Sequence, residues 1–113
     1  MPAPTYAIQA YRAASGYKSQ RDVEADMFRE VINGLRAAQL ADRMQQSRAV
    51  SDNRRLWLAV QAVISDPGNV LPAELRAGIA SLNLAMLREM HNESPDFDFL
   101  ISVNEAMLAG LTA

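Results

Sequence analysis

The chain has no cysteine. That excludes a disulfide framework, a thiol nucleophile and every thiolate metal site, and it fits a reducing compartment. Aromatic residues are scarce, at 6%, so Leu, Ile, Val, Met and Ala must fill the interior. A basic surplus is missing too: 11 Lys and Arg stand against 13 Asp and Glu, a formal net charge of -2. This argues against nucleic-acid binding by phosphate neutralisation, which needs an excess of cations. No apolar run reaches the roughly 18 residues expected of a membrane-spanning helix. The first residues, Met1 to Tyr6, lack a basic region followed by an apolar run, so they do not read as a signal peptide and a cytoplasmic protein is expected.

Half of the 113 residues are hydrophobic and 21% are charged, the composition of a folded chain with one core. Alanine is abundant and β-branched residues are not, which favours helix over strand. Five stretches carry helical spacing. The first is short, Thr5 to Ala14, with Tyr6, Ala10 and Ala14 on one side, and Ser15-Gly16 ends it. A second stretch reads as one helix from about Gln20 to Gln46, with Phe28, Val31, Ile32, Leu35 and Ala38 as its apolar stripe. Gly34 in its interior predicts a bend or a close approach to a neighbour.

A third helix is expected over roughly Ser51 to Ser65, capped by Ser51-Asp52, with Leu56, Val60, Val63 and Ile64 buried. Asp66-Pro67-Gly68-Asn69 is the clearest turn signal. Pro72 then opens a fourth helix whose stripe is Leu75, Ile79, Leu82, Met86 and Met90. Ser94 reads as the cap and Pro95 as the first residue of a fifth helix, which buries Leu100, Val103 and Met107 and closes at Gly110. No segment alternates polar and apolar residues as a strand would. The expectation is an all-α fold: a single compact bundle of about five helices, one short and four longer, with 1–113 as one domain and residues 1–4 and 112–113 as flexible ends.

Chemistry is hard to find in this sequence. His91, the one histidine, reads as a surface side chain near a helix C-terminus rather than a general base. Glu93, Asp96 and Asp98 lack the spaced ligands and turn glycine of a calcium loop. There is no phosphate loop, dinucleotide fingerprint or nucleophile elbow. The expectation is a non-enzymatic chain with no cofactor and no metal. The most distinctive patch is Arg54-Arg55 followed by Leu56-Trp57-Leu58, because Arg and Trp are enriched at protein-binding hot spots. The competing reading of Trp57 is a core indole. Met86 and Met90 share a face and either line an adaptable peptide groove or fill the core.

Several segments, in order, resemble the FlaF family of flagellar biosynthesis regulators. Asn53-Arg54-Arg55-Leu56-Trp57 is similar to the family's Asn-x-Arg-Leu-Trp element. Leu71-Pro72-Ala73-Glu74-Leu75-Arg76, with Ile79 and Leu82, is similar to its Leu-Pro-x-x-Leu-Arg-x-x-Ile-x-x-Leu segment. Ile101-Ser102-Val103-Asn104, ending in Ala109-Gly110-Leu111, resembles the Ile-x-Ile-Asn…Gly-Leu element, and Ala10-Tyr11 falls where the family has an Ala-Tyr pair. The resemblance implies a cytoplasmic protein that binds flagellin and supports its synthesis and export, acting with the post-transcriptional regulator FlbT. An alternative role is control of flagellin messenger RNA, directly or through an adaptor complex with FlbT. On this reading the partner-binding candidates are Arg54, Arg55, Trp57, Met86, Met90 and Asn104, with Arg55 and Asn104 giving polar register to a bound flagellin helix.

Overall fold

The computed structural model describes residues 19–113. Within them the chain forms four helices: α1 Gln20–Gln39, α2 Arg43–Ser65, α3 Ala73–Met90 and α4 Phe97–Thr112. No strand occurs among the described residues, and the all-α architecture is as the helical spacing predicts. The short helix expected over Thr5 to Ala14 lies outside the described residues, as do residues 1–4.

Helix α1 starts at a reciprocal cap. The Ser19 hydroxyl accepts from the Asp22 N–H at 3.2 Å, and the Asp22 carboxylate accepts from the Ser19 N–H, so two donors that would otherwise lack partners are satisfied together. Its buried stripe is Ala25, Phe28, Ile32, Leu35 and Ala38. Gly34 produces no close approach: a Cβ added there would meet nothing within 4 Å.

The expected helix over Gln20 to Gln46 and the expected start at Ser51 are both corrected. The break falls at Leu40–Asp42, and residues 43–50 belong to α2. Asp42 is the real cap, its carboxylate accepting from the Gln45 N–H at 2.8 Å. The residues between Ala37 and Val50 include neither Gly nor Pro, so local propensity alone gives no stop there. The reversal instead lets Ala38 on α1 and Ala49 and Val50 on α2 all bury themselves.

The Asp66–Asn69 turn is as expected: the Asp66 carboxylate accepts from the Gly68 N–H, and the Asn69 side chain donates to the Val63 carbonyl. Pro72 caps α3 rather than opening it, and Asp96, not Ser94, caps α4 by accepting from the Phe99 N–H. Helix α4 also runs past Gly110 to Thr112.

Helices α1 and α4 run antiparallel, as their cross-links show: Arg21 Nη2 donates to the Gly110 carbonyl at one end and Gln39 Nε2 to Asp98 at the other, with Arg36 paired to Glu105 between them. Helix α2 packs on α1 and α3, while α3 touches α4 only lightly. The core gathers around Trp57, whose ring meets Phe28 edge-on at 6.1 Å.

Burial stops short along two helices. On α2 no residue after Trp57 is buried, and on α3 none before Asn83. Val63, Leu75 and Leu82, expected in buried stripes, are therefore exposed. The C-terminal part of α2 and the N-terminal part of α3 cover only each other, so each keeps an uncovered side. Among the described residues no helix is long and apolar enough to cross a membrane.

Candidate functional site

Residues of the Asn53–Trp57 tract, α3 and α4 meet inside the bundle. Asn53 and Trp57 are four apart on α2 and so project to the same side, toward the other helices. Trp57 Nε1 donates to Asn104 Oδ1 at 2.8 Å, and Asn104 Nδ2 donates to Asn53 Oδ1 at 2.8 Å. Asn53 Nδ2 in turn donates to the Met90 sulfur at 3.1 Å. Asn83 Nδ2 reaches the Trp57 carbonyl at 2.7 Å, closing the link between α2 and α3. At the edge of this network Arg54 Nη2 donates to the Met90 carbonyl at 2.9 Å.

Asn53, Asn83 and Asn104 are all buried. A buried amide costs stability unless its donors and acceptors are matched. Here they are: among the described residues no buried side-chain nitrogen or oxygen lacks a partner. The directional bonds hold α2, α3 and α4 in one register, because sliding any helix by a turn would strand several buried polar atoms at once.

The six sequence candidates divide by position. Trp57, Met86, Met90 and Asn104 are interior, with Trp57, Met86 and Asn104 at 0% exposure. Trp57, Met90 and Asn104 belong to the network, and Met86 is packed in the core beside it. Their surfaces face other helices of this chain, which decides the Trp57 and methionine alternatives in favour of the core. Arg54 is half-buried and holds α2 to the end of α3. Arg55 alone points outward: its side chain is 78% exposed, in a 3.3 Å ion pair with Asp52 one turn earlier on α2.

Sequence reasoning missed Asn53 and Asn83 as members of this group. The available signal was a polar side chain at a core position: Asn53 four before Trp57, and Asn83 three before Met86 and seven before Met90. His91 is exposed at the end of α3. Glu89 and Asp96 serve the backbone around it, the Glu89 carboxylate accepting from the Asp96 N–H. Among the described residues no three His, Cys, Asp or Glu side chains gather where they would hold a metal ion.

The outward face of α2 carries Met44, Arg55 and Leu58, all exposed. At 100° per residue they fall within about 60° of arc, opposite the Asn53–Trp57 face. Exposed Ser51 lies in the same arc and exposed Arg48 at its edge, so the face sets two large apolar side chains among polar and cationic ones. A groove between α1 and α4 is lined by Arg29, Ile32, Asn33, Arg36, Glu105 and Leu108, and within it Arg36 is paired with Glu105.

A family model described as flagellar protein FlaF matches residues 7–111. No curated protein and no solved structure matches the chain.

Proposed function

From the premise that this chain belongs to the FlaF family of flagellar proteins, we propose that it is a flagellin-binding chaperone and regulator, acting in the cytoplasm to support flagellin synthesis and export. It works by binding and not by catalysis. The observation that carries the reading is the uncovered outer side of α2, where Met44 and Leu58 are exposed on the same face as Arg55. Flagellin's terminal segments are helical in the filament, so an unassembled subunit offers an apolar helical face. Laying such a helix along α2 covers the apolar side chains of both, as one helix packs on another.

Arg55 supplies register. Its pair with Asp52 is solvent-exposed and so contributes little to stability, leaving the guanidinium available to a carboxylate on the incoming helix. Two-point binding of that kind is beyond Lys. Trp57, Met90 and Asn104 act from behind, fixing the helix whose other side meets the partner, and Arg54 ties that helix to α3.

The test is a titration of this chain with purified flagellin alone. Saturable binding is expected, and Arg55→Lys should weaken it by about 1–3 kcal/mol, the range of a charge-assisted hydrogen bond, with thermal stability unchanged. Binding to purified FlbT without binding to flagellin would replace this reading with an adaptor role.

A further inference from the structure

Helix α3 carries two seams. The inner one, Ile79, Asn83, Met86 and Met90, turns toward the rest of the bundle. The outer one is Leu75, Gly78, Leu82 and Ala85, spaced by three, four and three, the same alternation as the inner seam and the one by which a helix meets another helix. Leu75 is 51% and Leu82 37% exposed. A glycine inside a helix weakens it relative to alanine, and a Cβ at Gly78 would meet nothing within 4 Å. The space over Gly78 is open, and with the small Ala85 it leaves room for a large side chain from a second helix.

We infer that this seam is the contact between two copies of the chain, with the two α3 helices antiparallel. In that register Leu75 packs on Ala85 of the second copy and Leu82 on Gly78 of the second copy, and the two-fold axis repeats both contacts. Each layer sets a large side chain against a small one. A parallel pair would set Gly78 against itself and leave a gap.

Charge selects the same register. Glu74 and Arg88 each sit one residue before a position of the seam repeat, fourteen residues apart on the same flank, about 21 Å along the axis. Flanking positions of this kind pair across antiparallel helices and set orientation. The register that places Leu on Ala and Leu on Gly also brings Glu74 of each copy to Arg88 of the other. Both side chains are exposed, and among the described residues neither makes an ion pair within the chain. The contact lies on α3 and leaves the Arg55–Leu58 side of α2 outside it.

Sedimentation equilibrium of the full chain tests this. The wild-type mass should rise with concentration from 12.4 kDa toward twice that value. Glu74→Arg and Arg88→Glu should each hold the mass at one chain, because each sets like charges together at both ends of the contact. An equimolar mixture of the two variants should regain the double mass, since two arginines on one helix then face two glutamates on the other. Recovery on mixing also controls for folding, and Glu74→Lys replaces Glu74→Arg should that chain fail to fold. A wild type that stays at one chain at every concentration assigns the seam to a different partner and overturns the inference. Variants that associate like the wild type, or a mixture that fails to recover, overturn it as well.

Discussion

At Trp57 apolar packing and a directed hydrogen bond act through one side chain. The ring fills the core against Phe28, and its N–H satisfies Asn104. Trp57→Phe keeps an aromatic ring but removes the donor, leaving a buried carbonyl oxygen of Asn104 without its partner and a gap where the second ring was. Chemical denaturation should show a loss of about 1–3 kcal/mol; a loss below about 0.5 kcal/mol would place the indole outside the energetic core. Gly34 offers the opposite case. Its helix is regular and a Cβ there meets nothing, so Gly34→Ala should raise stability by about 0.5–1 kcal/mol in the same assay. The sequence marks Gly34 as unusual but not as harmless, because the space around a glycine depends on which helix lies beside it. Asn53 and Asn83 were hard to read for a related reason: an asparagine in a helical stripe has meaning only once its hydrogen-bond partners are known.

At the scale of the elements, the α1–α2 corner depends on Asp42 more than on any chain-breaking residue. Helical propensity runs through the corner, so the Asp42 cap and the burial of Ala38, Ala49 and Val50 must together outweigh the residues lost to the helix. Asp42→Ala should cost about 0.5–2 kcal/mol in urea unfolding, the usual range for a lost cap. The arm made by the end of α2 and the start of α3 is the least covered part of the described chain. Hydrogen exchange there should be faster than in residues 49–57, because few buried contacts oppose local opening. Equal protection in both regions would mean that the arm is covered in solution, as the α3 pairing would achieve at high concentration.

For the molecule as a whole, the network linking α2, α3 and α4, together with the packing of Phe28 on Trp57, joins all four described helices around one indole. Trp57 is the one tryptophan, so its fluorescence reports the joint state of the four. Its unfolding curve should coincide with the helical far-UV signal in a single transition. Separate midpoints would show that the arm or a terminal helix unfolds independently of the core.

The sequence by itself determined the helical class, the turn at Asp66–Asn69, most of the α1 stripe, and, through ordered motifs, the family. These depend on local propensity and on periodicity, which the chain carries without reference to its neighbours. Only the tertiary structure decided where α1 ends, that Val63, Leu75 and Leu82 stay uncovered, and that Trp57 and Asn104 turn inward while Arg55 turns out. An apolar stripe states that a helix has a side to bury, but not how far along its length another helix will be there to cover it. Motif residues behave in the same way: Asn53, Trp57 and Asn104 are separated in sequence by up to 51 positions, and only the packing of α2 and α4 on α1 brings them within hydrogen-bonding distance.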